Sequence, residues 1–195
     1  MDDDIVYIVS GLPRSGTSLM MRMLEEGGMT PLSDNIREAD IDNPRGYYEF
    51  ERVKKLPQDT GWLPEAKGKV VKVLAELIKH LPDGYHYKII FMMRDIDEII
   101  ASQKKMLMRR GEDPDAVPDD EMRELLRTYL RNLKIFVRKH PNMDVCYISY
   151  NDLMRDPDLS IEEVSEFLID DLDLDSMRTA IDMRLYRNRS SAEPF

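Results

Sequence analysis

The stretch IVYIVSGLPRSGTS, residues 5–18, decides the fold. Residues 5–9 are β-formers without a polar interruption, as expected of a strand buried on both faces of a parallel sheet. A loop with two glycines follows at 11–18, and the apolar residues of 19–24 then recur at helical spacing before a Gly-Gly pair. A strand, a glycine loop and a helix in this order aim backbone N–H groups and the positive helix end at an anion. The alternative is an ordinary strand-to-helix turn.

The loop keeps part of a known phosphate-binding pattern but lacks its lysine. In nucleotide triphosphatases the pattern is G-x-x-x-x-G-K-S/T, where the lysine contacts the β- and γ-phosphates and the hydroxyl binds Mg²⁺. Here Gly11 and Gly16 keep the spacing, Thr17 stands in place of the lysine, and the cation is Arg14 inside the loop. Such a loop suits an anionic tail and suits phosphoryl transfer poorly. We therefore expect a nucleotide whose transferable group is not a Mg²⁺-bound γ-phosphate.

Length and composition indicate a globular protein. A chain of 195 residues most simply forms one domain, which we place at 1–195. The net charge of −10 argues against a nucleic-acid partner, which needs a basic face, but not against a small anionic ligand. The sequence shows no apolar run of about 20 residues, so we expect no membrane span. It leaves open whether the chain forms a homo-oligomer.

The single cysteine and the acidic N-terminus indicate the cellular compartment. Cys146 has no partner for an internal disulfide and lies in an apolar run, so we expect a buried, small hydrophobic residue. The acidic residues 1–4 run straight into a strand, unlike a signal peptide. We therefore expect a cytoplasmic protein.

Strand and helix patterns alternate along the chain. Three further strands are expected, at 70–73, 87–93 and 145–149. Helical spacing of apolar residues predicts helices at 96–107, 122–137 and 161–168, the second of them with Asp119 as its N-cap. This alternation predicts an α/β fold of three layers, a central parallel sheet of about four to five strands flanked by helices.

A second pair of polar residues follows the third expected strand. Arg94 comes directly after the strand and Ser102 eight residues later, two turns along the next helix. Ligands of open α/β sheets bind outside the carboxyl ends of the strands, so Arg94 is expected on the same edge as the glycine loop. An arginine with a nearby hydroxyl suits a fixed phosphate. The alternative is a surface ion pair of Arg94 with Asp97 or Glu98.

Three segments together resemble the sulfotransferase family. Residues 12–18 resemble its 5′-phosphosulfate loop, residues 87–102 its 3′-phosphate motif, and residues 147–153 its Tyr-Glu-Asp-Leu segment. The resemblance implies a P-loop-like fold and the donor 3′-phosphoadenosine-5′-phosphosulfate (PAPS). It also implies transfer of a sulfuryl group to an acceptor hydroxyl or amine, without a required metal.

The resemblance also implies a donor site. The 5′-phosphosulfate group would bind the loop residues Pro13, Arg14, Ser15, Gly16, Thr17 and Ser18. The 3′-phosphate would bind Arg94 and Ser102, and a C-terminal basic tail would close over it, with Arg187 and Arg189 preceded by Arg184. Tyr150 matches the family tyrosine near the adenine; packing at a strand end is the alternative.

Three residues are candidates for catalysis. Arg14 would direct its charge at the sulfuryl group, and Lys72 matches the family lysine that bridges that group and the leaving oxygen. A lysine in an apolar strand is costly unless it meets an anion, and the alternative is a solvent-facing strand end. Leu74 takes the place of the family's histidine base. Glu49, in NPRGYYEFE at 43–51, is the candidate base, with a pKa that burial would raise. The alternative is an exposed glutamate beside Arg52 or Lys55.

Other functions stay open. The rivals are a P-loop nucleotide kinase-like phosphotransferase, which Thr17 disfavours, and a non-catalytic nucleotide-binding protein. The sequence leaves the acceptor open among a small molecule such as an alcohol, a carbohydrate, a lipid head group and a peptide tyrosine. The segments 30–69, which includes Arg45, and 106–119 are expected to recognise it, with Met106 and Met108 as an apolar wall or as core residues.

Overall fold

Five parallel strands form one sheet in the computed structural model, which describes residues 5–34, 36–37, 39–40, 46–168 and 171–186. The strands of these residues are β1 Ile5–Gly11, β2 Pro31–Leu32, β3 Val70–Lys72, β4 His86–Met93 and β5 Met143–Ser149. They lie in the order β2-β3-β1-β4-β5, with β1 paired to β3 and β4. The expected parallel sheet is confirmed.

Helices cover both faces of the sheet. Their bounds are α1 Thr17–Glu26, α2 Leu63–Ala66, α3 Ile96–Arg110, α4 Asp119–Arg138, α5 Tyr150–Arg155, α6 Pro157–Leu168 and α7 Leu174–Thr179. Short 3₁₀ helices span Glu51–Lys55, Ala75–His80 and Met183–Leu185.

Strand alternation sends side chains of β1 into two separate cores. Val6 and Ile8 pack with residues of α2, α3 and α4 on one face, whereas Tyr7 and Val9 pack with residues of α1, α6 and α7 on the other. Successive side chains of a strand point to opposite faces, so an uninterrupted apolar strand needs a helical layer on each side. The expected three-layer, P-loop-like α/β fold is confirmed.

The register brings the carboxyl ends of four strands to one edge. Val9 pairs with Lys72, Gly11 with Met92, and Met93 with Ser149. The residues that follow these ends therefore emerge side by side: the glycine loop after β1, Arg94 after β4 and Tyr150 after β5. This edge is where ligands of open α/β sheets bind.

Some local expectations differ from the structure. The two-residue strand β2 lies inside the segment 30–69, where no strand was expected, because two residues are too few for a periodic pattern. Asp119 is the first residue of α4 and Pro118 is its N-cap, so the N-cap assignment was wrong by one residue. Cys146 is free and buried, as expected. In the described part of the chain, no helix combines the length and the apolar character needed to cross a membrane.

Candidate active site

A cavity of about 420 Å³ opens at the carboxyl edge of the sheet. Its size falls in the range of about 300–1,000 Å³ that is common for small-molecule sites. The glycine loop, the end of β3, Arg94 after β4, the middle and last turns of α3, and Tyr150 on α5 contribute to its wall. Segments far apart in sequence therefore share one site.

The conformation of the loop requires glycine at position 16. Gly16 has a φ of 99°, and a Cβ added there would lie 2.3 Å from Cδ2 of Tyr150. Both the backbone and the neighbouring ring exclude a side chain. The helix α1 begins at the next residue, Thr17, so its positive N-terminal end faces the loop.

Arg14 joins the two expected phosphate-binding groups. Its Nε donates to Oγ of Ser102 at 3.0 Å, and its carbonyl accepts from Nη1 of Arg94 at 2.9 Å. Burial lowers the pKa of Arg14, with a smaller opposing effect from Tyr47, but an arginine stays charged. The loop, Arg94 and the middle of α3 are thus connected in one cluster that contains two guanidinium groups.

Arg94 is paired with a carboxylate and still lines the cavity. Its Nε donates to Oε2 of Glu98 at 2.9 Å, and its guanidinium lies 4.4 Å from the ring centroid of Tyr150. The side chains of Arg94 and Glu98 are only 8% and 1% exposed, so the ion pair with Glu98 forms in the interior. A surface ion pair is therefore the wrong description.

The other carboxylate oxygen of Glu98 connects α3 with α5 and with Tyr186. Glu98 Oε1 accepts from Nδ2 of Asn151 at 3.0 Å and from the hydroxyl of Tyr186 at 2.9 Å. The rings of Tyr186 and Tyr150 meet edge to face with centroids 5.5 Å apart. The chain up to Tyr186 therefore packs against the site through α3 and α5.

Of the tail arginines, the structure describes Arg184 alone. Arg184 is largely exposed and pairs with Asp182 at 2.9 Å. Arg187 and Arg189 lie outside the described residues, as does Arg45.

Lys72 is buried and points at the loop. It is 8% exposed, and its Nζ donates to the carbonyl of Tyr47 at 2.5 Å and to Oγ of Ser18 at 3.2 Å. Burial lowers the pKa of Lys72 to about 8, although the nearby charge of Glu49 opposes the shift. A solvent-facing position at the strand end is therefore wrong for Lys72.

Glu49 lies in the cavity wall between two cations. Its Oε1 accepts from Nη1 of Arg37 at 2.7 Å, and its Oε2 lies 3.1 Å from Nζ of Lys54. Burial alone would raise the pKa of Glu49, but the hydrogen bond with Lys54 and the charges of Lys72 and Arg37 outweigh it and lower the pKa. The direction is opposite to the expected one. The alternative, an exposed Glu49 beside Arg52 or Lys55, does not hold either, because the Glu49 side chain is only 15% exposed and Arg52 pairs with Asp59.

The structure brings most expected site residues together. Those that line the cavity are Pro13, Arg14, Gly16, Thr17, Ser18, Glu49, Lys72, Arg94, Ser102 and Tyr150. Ser15 is the exception in the loop, because its side chain is buried and its backbone N–H donates to the carbonyl of Leu12.

Sequence reasoning missed several residues of the cavity wall. Lys105 and Arg109 line it, and they follow Ser102 by three and seven residues on α3, a helical spacing that could have revealed them. Arg37 also lines it but lies in a stretch without periodicity, which carries no such signal. Met106 lines the cavity as expected, whereas Met108 is 56% exposed and does not.

Comparisons with known proteins point to one family. A model described as the sulfotransferase family matches residues 41–175. No curated protein sequence matches the chain.

Two solved structures are similar in outline. One is mouse sulfotransferase SULT7A1 complexed with PAP, with 18% identity and a TM-score of 0.47 over 94% of this chain. Another is retinol dehydratase in complex with androsterone and inactive cofactor PAP, with 15% identity and a TM-score of 0.46 over 92% of this chain. The chain spans 64% of the length of each of these proteins.

Proposed function

The chain belongs to the sulfotransferase family, and from that premise we propose that it transfers a sulfuryl group from PAPS to an acceptor hydroxyl or amine. The observation that carries the proposal is the joined cationic cluster of Arg14, Arg94 and Ser102 at the carboxyl edge of the sheet. This cluster supports the binding of two phosphate groups in one cavity, as the 5′-phosphosulfate and the 3′-phosphate of PAPS would require.

The residues of the cavity fit the donor. The N-terminus of α1 with Thr17 and Ser18 offers N–H and hydroxyl donors to the 5′-phosphosulfate. Arg94 and Ser102 would hold the 3′-phosphate, and Tyr150 would lie beside the adenine. PAP, the 3′,5′-bisphosphate left after transfer, would occupy the same positions.

The chemistry consists of one displacement at sulfur. The acceptor oxygen or nitrogen forms a bond to sulfur, the bond from sulfur to the 5′-phosphate oxygen breaks, and PAP leaves with the bonding pair. The acceptor proton passes to Glu49. By analogy with phosphoryl transfer, the protein contributes positioning and cations placed where negative charge develops. Lys72 and Arg14 would supply those cations, and no step needs a metal.

The size of the acceptor and the cellular compartment are also part of the proposal. A cavity of about 420 Å³ suits a small-molecule acceptor, or the end of a larger one, once the donor is bound. The free, buried Cys146 is compatible with a reducing cytoplasm, which cell fractionation would test. Recovery of the protein outside the cytoplasmic fraction would contradict this placement.

Calorimetry separates this function from that of a P-loop kinase. PAP should bind more tightly than ATP with Mg²⁺, and ATP should not be hydrolysed, because position 17 offers no lysine to the γ-phosphate. Tighter binding of Mg²⁺–ATP together with its hydrolysis would contradict the proposal. A protein that binds PAP but transfers no labelled sulfate from PAPS to any acceptor would be a binding protein only.

A further inference from the structure

Basic side chains are concentrated in the cavity beyond what the donor explains. The chain has a net charge of −10, yet three basic residues of the wall, Arg14, Lys72 and Arg94, already face the donor positions. Five more basic residues line the same cavity: Arg22, Arg37, Lys105, Arg109 and Arg110. Clustered charge of one sign sets the local field of a cleft whatever the charge of the whole molecule.

The carboxylates at the wall are fewer than its basic residues. Among the described residues that line the cavity, the acidic ones are Glu49 and Asp182. Glu49 pairs with Arg37 and Lys54, and Asp182 pairs with Arg184. Glu26 and Glu98 lie outside the wall and pair with its Arg22 and Arg94. Among the described residues, eight basic side chains of the wall therefore stand against four carboxylates, which leaves a positive sum of charges.

Arg37 is placed beside the proposed catalytic lysine. Its guanidinium lies 3.4 Å from the ring centroid of Tyr47, and the carbonyl of Tyr47 accepts from Nζ of Lys72 at 2.5 Å. The charge of Arg37 is close enough to contribute to the lowered pKa of Lys72. Arg37 therefore lies on the side of the cavity where the sulfuryl group would react.

Lys105 and Arg109 continue the basic wall along α3. Ser102, Lys105 and Arg109 share one helical face, and a rise of about 1.5 Å per residue places the backbone of Arg109 about 10 Å beyond Ser102, on the side away from Arg94. The charge of Arg109 still reaches Arg14, whose pKa it helps to lower. Arg109 therefore borders the loop without being next to the 3′-phosphate position.

We propose that the acceptor carries an anionic group, a carboxylate, sulfate or phosphate, which Arg109, Lys105 and Arg37 bind while the acceptor hydroxyl or amine faces Lys72. The proposal rests on the proposed sulfuryl transfer and names its substrate class. The positive sum of charges in the wall attracts an anionic acceptor and gives a neutral acceptor no such gain. Leu74 and Met106 in the same wall provide contact for a small apolar part.

Binding to the PAP-saturated protein tests the substrate class. Pairs of compounds that differ in charge are titrated by calorimetry: 4-hydroxybenzoate against methyl 4-hydroxybenzoate, and glucose 6-phosphate against glucose. We expect the anionic member of at least one pair to bind about tenfold more tightly, the size of a charge-assisted hydrogen bond. Arg109→Ala should remove most of that preference, Arg109→Lys should retain part of it, and PAP affinity should stay the same in both.

Arg127 is the matched control. It is an exposed arginine on α4 outside the cavity wall, so Arg127→Ala should change neither PAP affinity nor the preference for anions. Thermal unfolding of each variant verifies that the fold is intact.

The outcomes separate the two proposals. Failure of the wild type to bind PAP would overturn the proposed function and this inference with it. PAP binding without a preference for the charged member of any pair would overturn this inference alone. A loss of PAP affinity in Arg109→Ala would assign that arginine to the donor and would also overturn it.

Discussion

Lys72 is surrounded by neutral oxygen acceptors at hydrogen-bond distance, the Tyr47 carbonyl and the Ser18 hydroxyl. Within the described residues, this buried ammonium has given up water without gaining a directly bonded carboxylate, and burial lowers its pKa to about 8. An anionic sulfuryl or phosphate group beside Lys72 would compensate for this lost hydration. The residue is therefore arranged for a ligand rather than for stability.

The pH dependence of the reaction should report Lys72. In the proposed mechanism the protonated form of Lys72 is the active one, and burial lowers its pKa in the free protein to about 8. We expect kcat/KM for PAPS to be level just below that pH and to fall as pH rises above it, since this parameter reports the free enzyme. Lys72→Arg should move the alkaline decline to higher pH, because arginine stays charged there.

Removal of the Lys72 charge separates an effect on catalysis from an effect on PAP binding. Lys72→Ala should reduce kcat far more than it weakens PAP binding, since the charge it offsets develops during transfer. Equal losses of both would make Lys72 a binding residue. An alkaline decline that stays in place in Lys72→Arg would assign the titration to another group.

Glu49 offers a second test at the same scale. Glu49→Gln should nearly abolish transfer to an acceptor hydroxyl while thermal unfolding stays close to that of the wild type, because the amide cannot accept the proton. As the cations around Glu49 lower its pKa, the acidic decline of the rate should lie below the ordinary range of a glutamate. A near-normal rate would remove Glu49 from the role of base.

Sequence patterns predicted the cavity position of some residues and failed for others. Arg14, Arg94 and Ser102 were predictable because their spacing follows a strand end and a helix. The pKa direction of Glu49 was not, since it depends on the hydrogen bond with Lys54 and on the charges of Lys72 and Arg37, which lie near Glu49 only in the folded chain. The burial of the Ser15 side chain depends on the loop conformation, which its spacing does not determine.

The helix α3 organises the site at the level of elements. Its N-cap Asp95 accepts from the backbone N–H of Glu98 at 3.1 Å, and the backbone N–H of Asp95 donates to Oδ1 of Asn151 at 3.0 Å. Glu98 then pairs with Arg94, and Ser102, one turn further along the helix, accepts a hydrogen bond from Arg14. The helix thus fixes the direction of Arg94 through a carboxylate that does not line the cavity.

Two explanations of the role of Glu98 predict opposite effects of Glu98→Gln on PAP affinity. If the negative field of Glu98 dominated, Glu98→Gln would tighten the binding of the anion PAP. We expect PAP binding to weaken about tenfold instead, because Arg94 loses a charge-assisted hydrogen bond that orients it. Binding of adenosine 5′-monophosphate (AMP), which lacks the 3′-phosphate, should change less.

The neighbouring position provides the control for calorimetry. Asp97 carries the same charge on α3 but is 61% exposed and pairs with Arg123. Asp97→Asn should leave PAP affinity unchanged. Tighter PAP binding in Glu98→Gln would show that Glu98 does not position Arg94.

At the level of the whole molecule, the basic cavity contrasts with the negative net charge of the chain. Acidic residues give the chain its net charge of −10, while the cavity wall collects basic side chains from several elements. The parallel sheet makes this possible because it gathers the carboxyl ends of its strands at one edge. Sequence alone predicted that sheet from alternating strand and helix patterns, but not its strand order, which depends on contacts between distant segments.

Recognition of the 3′-phosphate is the most direct test of the central claim. Calorimetry with PAP and with AMP, at the same ionic strength, isolates that group. PAP should bind at least tenfold more tightly than AMP to the wild type, and Arg94→Ala should abolish the difference while AMP binding stays close to its wild-type value. PAP binding no tighter than that of AMP, or a preference that survives in Arg94→Ala, would contradict the account.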